Sequence, residues 1–125
     1  MNRKQTRTLV EAIAFYRTRH RTPGCKLTHM IGVPMLLCAP LVFCMNKRNG
    51  TLLAITGTFF QLLGHFLFEK NIPTLIETRD PMSIPAAVAF TAGEWIDVAN
   101  GTWMEKNGLD LFEKQTLMEV EILDN

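Results

Sequence analysis

Two long apolar stretches dominate the pattern of hydrophobic and polar positions along this chain. Apart from cysteine, residues 27–45 hold one ionisable side chain, His29, and residues 51–68 hold one, His65, amid Leu, Ile, Phe, Ala, Gly and Thr. Each stretch approaches the roughly 20 apolar residues that cross a bilayer. Residues 46–50 (Asn, Lys, Arg, Asn, Gly) form a compact polar turn between them. The pattern predicts a transmembrane helical hairpin, about 27–46 and 50–69. Pro34 and Pro40 would break a helix in water but are tolerated in lipid, where neighbouring groups recover the freed backbone. The competing reading is a buried hairpin in a soluble bundle; two spans of this length around a five-residue turn favour the membrane.

The flanks are amphipathic. In residues 5–21, Leu9, Val10, Ile13, Phe15 and Tyr16 alternate at helical spacing with Arg7, Glu11, Arg17 and Arg19, which suits a helix on a membrane surface within residues 1–22. Pro23 and Gly24 are expected to end it. Residues 84–104 read as a third apolar helix, with Trp95 and Trp103 near an interface. Residues 108–122 read as an exposed amphipathic helix. The expected fold is all-α: one domain, 1–125, an integral membrane bundle built on the hairpin with amphipathic flanking helices.

Charge sharpens this picture. Residues 1–50 carry nine basic residues against Glu11 alone, while residues 51–125 carry four basic and eleven acidic ones. A basic arm suggests nucleic acid, but this one runs directly into apolar sequence, so an anionic membrane surface is the expected partner and nucleic acid is not. Short flanks rich in Lys and Arg resist translocation, which puts the N-terminus on the cytoplasmic side. No secretory signal is visible, and Cys25, Cys38 and Cys44 suggest small apolar fillers rather than a disulfide framework.

The candidate chemistry lies in the histidines. With Arg48 as the hairpin tip, His29 lies 19 residues before it and His65 17 after it. At about 1.5 Å per residue the two reach nearly equal depth, away from the turn. His20 joins that end through the Pro-Gly link, so all three histidines gather at one membrane face. Glu69 follows His65 by four residues and shares its helix face. Imidazoles with a carboxylate suit a first-row metal, and open His-rich sites suit Fe(II), although spacing alone names no metal. Histidines that only pack or bind a lipid headgroup are the alternative. Glu94 and Asp97, three apart on the third apolar segment, either reach into the site or lie at a solvated helix end. There is no phosphate-binding glycine loop, and Ser83, the only serine, has no adjacent base.

The series Phe15-Tyr16-x3-His20-x8-His29-x2-Gly32-x-Pro34, followed by Gln61-x2-Gly64-His65-x2-Phe68-Glu69-x3-Pro73, resembles the small membrane 2-hydroxy fatty acid dioxygenases, which act in the metabolism of phytosphingosine to odd-numbered fatty acids. The resemblance runs from about residue 15 to residue 94. It implies an Fe(II)-dependent α-oxidation that uses O2 and shortens a 2-hydroxy fatty acid by one carbon. It also implies that His20, His29 and His65 are metal ligands. In that family an asparagine often stands where this chain has Cys25, and characterised members carry more histidine. The implied ligand set would therefore be completed by Glu69, Glu94 or water, with Arg19 or Arg21 neutralising charge on the substrate carboxylate. The implied location is the endoplasmic reticulum in a eukaryote or the inner membrane in a bacterium. A non-catalytic membrane protein, or another lipid-modifying enzyme on this scaffold, stands as the alternative.

Overall fold

The computed structural model describes residues 8–114, which form helices and connecting turns with no strand among them. The helices are α1 (Leu9–Thr18), α2 (Pro23–Met45), α3 (Lys47–Leu63), α4 (Thr74–Thr78), α5 (Ser83–Ala99) and α6 (Trp103–Asn107), and α3 runs on into a π-helical segment, Gly64–Glu69. The chain is all-helical, and its two long apolar helices are able to form a transmembrane hairpin.

Local capping explains the boundaries. Thr8 and Glu11 satisfy each other's backbone amides at 3.2 Å and start α1. The Thr22 hydroxyl accepts from the Cys25 amide, and Pro23 occupies the first helical position, where its missing N–H costs nothing. Pro23 and Gly24 therefore open α2 rather than ending α1, and the break falls at residues 19–22. Asn46 closes α2 through its amide on the Val42 carbonyl and caps α3 by accepting from the Asn49 amide at 3.1 Å. The expected five-residue turn shrinks to this single residue.

Such a tight hairpin needs backbone contact. A Cβ on Gly32 would stand 2.7 Å from the Gly57 carbonyl oxygen, and one on Gly57 would stand 2.9 Å from that of Gly32. Small residues at a helix crossing allow this approach. Pro34 leaves the Met30 carbonyl without its helical donor. The Trp95 indole N–H, reaching across from α5, donates to that oxygen at 3.0 Å. On the other side, α5 packs on α1 through Ala12, Tyr16, Ala86 and Phe90.

The outer face of the hairpin is apolar. Leu41, Met45, Ile55 and Phe59 are all exposed, and a third or less of either apolar stretch is buried within the protein. A soluble bundle would bury such a face.

Two expected helices are shortened. Residues 84–104 divide into α5 and α6 because Gly101, at φ 72°, leaves the helical path. Residues 108–114, expected as the start of an amphipathic helix, form turns instead. Gly108 has φ 77° and the Asp110 carboxylate accepts from the Phe112 amide, a side-chain bond that competes with helix. This segment folds back on α2: the Gly24 amide donates to the Leu111 carbonyl, and Phe112 packs on Phe68. The remainder of the expected 108–122 helix, and residues 1–7 of the N-terminal flank, lie outside the described residues.

Candidate metal centre

Three elements deliver the histidines to one point. His20 sits in the turn after α1, His29 on the second turn of α2, and His65 in the π-helical segment, and each is at least 98% buried. Their Nε2 atoms face one another, with His20 at 3.3 Å from His29 and 3.1 Å from His65.

The opposite ring nitrogens fix the protons. His20 Nδ1 donates to the Tyr16 carbonyl at 2.6 Å and His29 Nδ1 to the Cys25 carbonyl at 2.8 Å, since a carbonyl only accepts. His65 Nδ1 donates to Asn71 Oδ1 at 2.6 Å, and the Asn71 amide nitrogen donates to the Arg19 carbonyl at 3.1 Å, which fixes the orientation of that amide. All three neutral rings thus carry their proton on Nδ1 and turn an Nε2 lone pair inward. Lone pairs at this separation repel unless a cation lies among them. Three nitrogens each about 2.1 Å from one ion are roughly 3.0–3.4 Å apart, so the donor set fits one metal ion.

The surroundings keep the rings in place and unprotonated. The Tyr16 ring stacks on His20 at 3.7 Å and 9°, and the Phe90 ring, tilted, lies against both at 5.6 Å from His20 and 5.1 Å from Tyr16. Burial, then the neighbouring His29 and His65, hold His20 well below the ordinary imidazole range. Burial also pushes the Tyr16 phenol well above its usual value, so it remains a neutral donor. A cavity of about 320 Å³ is lined by His29, His65 and Tyr16 together with Val33, Leu36 and Ile84. Leu37, exposed on the hairpin, is also part of its lining.

Of the carboxylates and arginines expected at the site, Glu94 and Arg19 are engaged elsewhere, while Glu69 serves the backbone through Oε1 and keeps Oε2 buried without a hydrogen bond among the described residues. Glu69 is 1% exposed, but its Oε1 accepts from the backbone amides of Arg21 and Thr22, tying down the turn that carries His20. Glu94 accepts from the Trp103 indole at 2.7 Å and faces Lys26, which donates to Asn107, in a separate buried group that docks α6. Arg19 makes a two-pronged bond to Glu77 of α4 at 2.9 and 3.0 Å, so its guanidinium is committed there. Arg21 contributes its backbone amide to Glu69. Cys25, fully buried, lies 3.6 Å from His29 Nδ1, and its Sγ is within 4.8 Å of a ligating nitrogen of each histidine, so the thiol belongs to the same potential donor group.

Residues 6–95 match the family described as 2-hydroxy-palmitic acid dioxygenase Mpo1-like. The chain belongs to that family. No curated protein and no solved structure matches it. For this Mpo1-like chain, sequence reasoning passed over Asn71 and Tyr16 as site residues. Tyr16 lies four residues before His20, one helical turn away, a spacing that signals contact. Asn71 gives no such signal, because a π-helical turn and the left-handed Lys70 (φ 57°) separate it from His65.

Proposed function

We propose that this Mpo1-like protein is an Fe(II)-dependent dioxygenase of the bilayer that shortens 2-hydroxy fatty acids by one carbon. The observation that carries this reading is the convergence of three imidazole lone pairs beside a largely apolar cavity that His29 and His65 line together with Leu37, a residue exposed on the face of the hairpin. Burial of ionisable groups at membrane depth is costly and marks function. The family description supports the substrate class and the use of O2.

In this reading His20, His29 and His65 hold the metal, and the acyl tail enters from the bilayer and lies along Val33, Leu36 and Ile84. Bound there, ferrous iron supplies O2 activation and an electron path. A 2-hydroxy acid and O2 give the acid one carbon shorter, CO2 and water, with O2 taking the four electrons lost by the two carbons. Asn71 and the Tyr16 and Cys25 carbonyls keep the three Nε2 atoms deprotonated throughout. The stacked Tyr16 ring and the tilted Phe90 ring exclude water from His20, and Tyr16, which lines the cavity, keeps its phenolic proton. The basic N-terminal flank stays cytoplasmic, which puts the histidine end of the hairpin at that face.

The test is anaerobic iron loading of detergent-purified protein, followed by 2-hydroxypalmitate and O2. The C15 acid should form, and neither His20→Ala, His29→Ala nor His65→Ala should yield it. Metal-loaded protein that binds the lipid but releases no C15 acid would redirect the assignment to another lipid chemistry.

A further inference from the structure

Thr74 stands out among the polar groups of the cavity. It follows Pro73 at the start of α4, is 3% exposed, and its hydroxyl has no hydrogen-bond partner among the described residues. It lines the same cavity as His29 and His65. Ser83, the nearest comparison in that lining, shares a bond with the Thr78 hydroxyl at 3.3 Å. A buried hydroxyl without a partner costs stability, and the great majority of such groups are satisfied. An orphan beside a ligand cavity is accounted for when the ligand completes it. Of the two arginines expected to neutralise an acid substrate, Arg19 is held by Glu77.

We infer that Thr74 is the substrate-binding residue that recognises the polar head of the acid, donating its hydroxyl proton to a carboxylate or 2-hydroxyl oxygen. This rests on the proposed function, since it takes the occupant of the cavity to be a hydroxy acid. Tail contacts along Val33, Leu36 and Ile84 are the same for any long chain, so the head contact is what distinguishes an acid from a neutral lipid of equal length. The role has a structural signature. Thr74→Val keeps the shape and removes the orphan, so the ligand-free variant should be at least as stable as the wild type while binding the acid less well. Thr74→Ser retains the donor.

The experiment measures binding of 2-hydroxypalmitate, palmitate and hexadecanol to iron-loaded, anaerobic protein in lipid nanodiscs, with melting temperature and iron content recorded for each variant. Thr74→Val should lose about tenfold or more in affinity for 2-hydroxypalmitate, the usual scale for a hydrogen bond to a charged group, with hexadecanol and iron content unchanged and melting temperature not lowered. Thr74→Ser should bind like the wild type. A loss shared with palmitate assigns the bond to the carboxylate, and a loss confined to the hydroxy acid assigns it to the 2-hydroxyl. Wild-type protein that prefers 2-hydroxypalmitate over hexadecanol, with the preference intact in Thr74→Val, overturns the role of Thr74 alone. Wild-type protein that binds none of the three overturns the functional reading and this inference together.

Discussion

Asn71 holds His65 from behind: its side-chain oxygen takes the Nδ1 proton at 2.6 Å while its amide nitrogen is anchored on the Arg19 carbonyl. One side chain thereby orients His65 and ties it to the residue before His20. Partners of this kind set ligand orientation and basicity, and their loss typically costs 10- to 100-fold in metal affinity. Asn71→Ala should weaken metal binding by about that factor, measured by competition with a chelator of known affinity. Asn71→Asp, which keeps the acceptor, should retain more. Equal affinity in all three proteins would remove Asn71 from the site.

Glu69 offers a test of position against ligation. Its carboxylate serves the amides of Arg21 and Thr22. Glu69→Ala should lower unfolding stability by about 1–3 kcal/mol, the scale for stranding buried donors, and loosen the metal indirectly. Glu69→Gln keeps one acceptor oxygen and should fall between Ala and wild type in stability while binding metal nearly normally. If Glu69→Gln lost metal as completely as His65→Ala, the carboxylate would be a ligand after all.

The pH behaviour follows from His20. Its shift is downward, because burial and the adjacent imidazoles penalise the charged ring. The neutral, ligating form is therefore kept on the acid side of the ordinary value near 6.5 and lost only as pH falls through the lowered one. Bound metal should persist at about pH 6 and somewhat below, where exposed histidine sites already release theirs. Occupancy followed by rapid desalting across a pH series measures this; half-release at the ordinary imidazole value would contradict it.

Trp95 and Pro34 form a testable pair through one carbonyl. Trp95→Phe strands the Met30 oxygen and should destabilise the protein by about 1–3 kcal/mol. Pro34→Ala supplies a helical N–H to the same oxygen, so in that background Trp95→Phe should cost much less. Denaturant unfolding of the four proteins gives the coupling, and additive losses would show that the indole bond carries no weight.

The long-range geometry was legible because helices convert residue counts into depth. His29 and His65 could be brought level by counting from the turn, and apolar length marked both spans. What counting could not reveal was set by side chains acting on backbone. The expected tip at Arg48 is displaced to Asn46 because that residue's carboxamide and amide serve both helices at once. Glu69, a turn beyond His65, has the spacing of a ligand or an outer acceptor, and counting gives no sign that the amides opening α2 take its Oε1. Glu94 answers an indole and a lysine that converge only in the folded chain.

The single-residue turn at Asn46 leaves the hairpin no slack. His29 lies 17 residues before it and His65 19 after it, so the meeting of their rings is gauged from a point about 25–29 Å away. Adding one residue beside Asn46 would rotate one helix by about 100° and slide it by about 1.5 Å against the other, swinging an imidazole out of the cluster without touching a ligand. The far end of the hairpin therefore works as an alignment key for the metal centre, and the chain should tolerate changes of residue type there far better than any change of length.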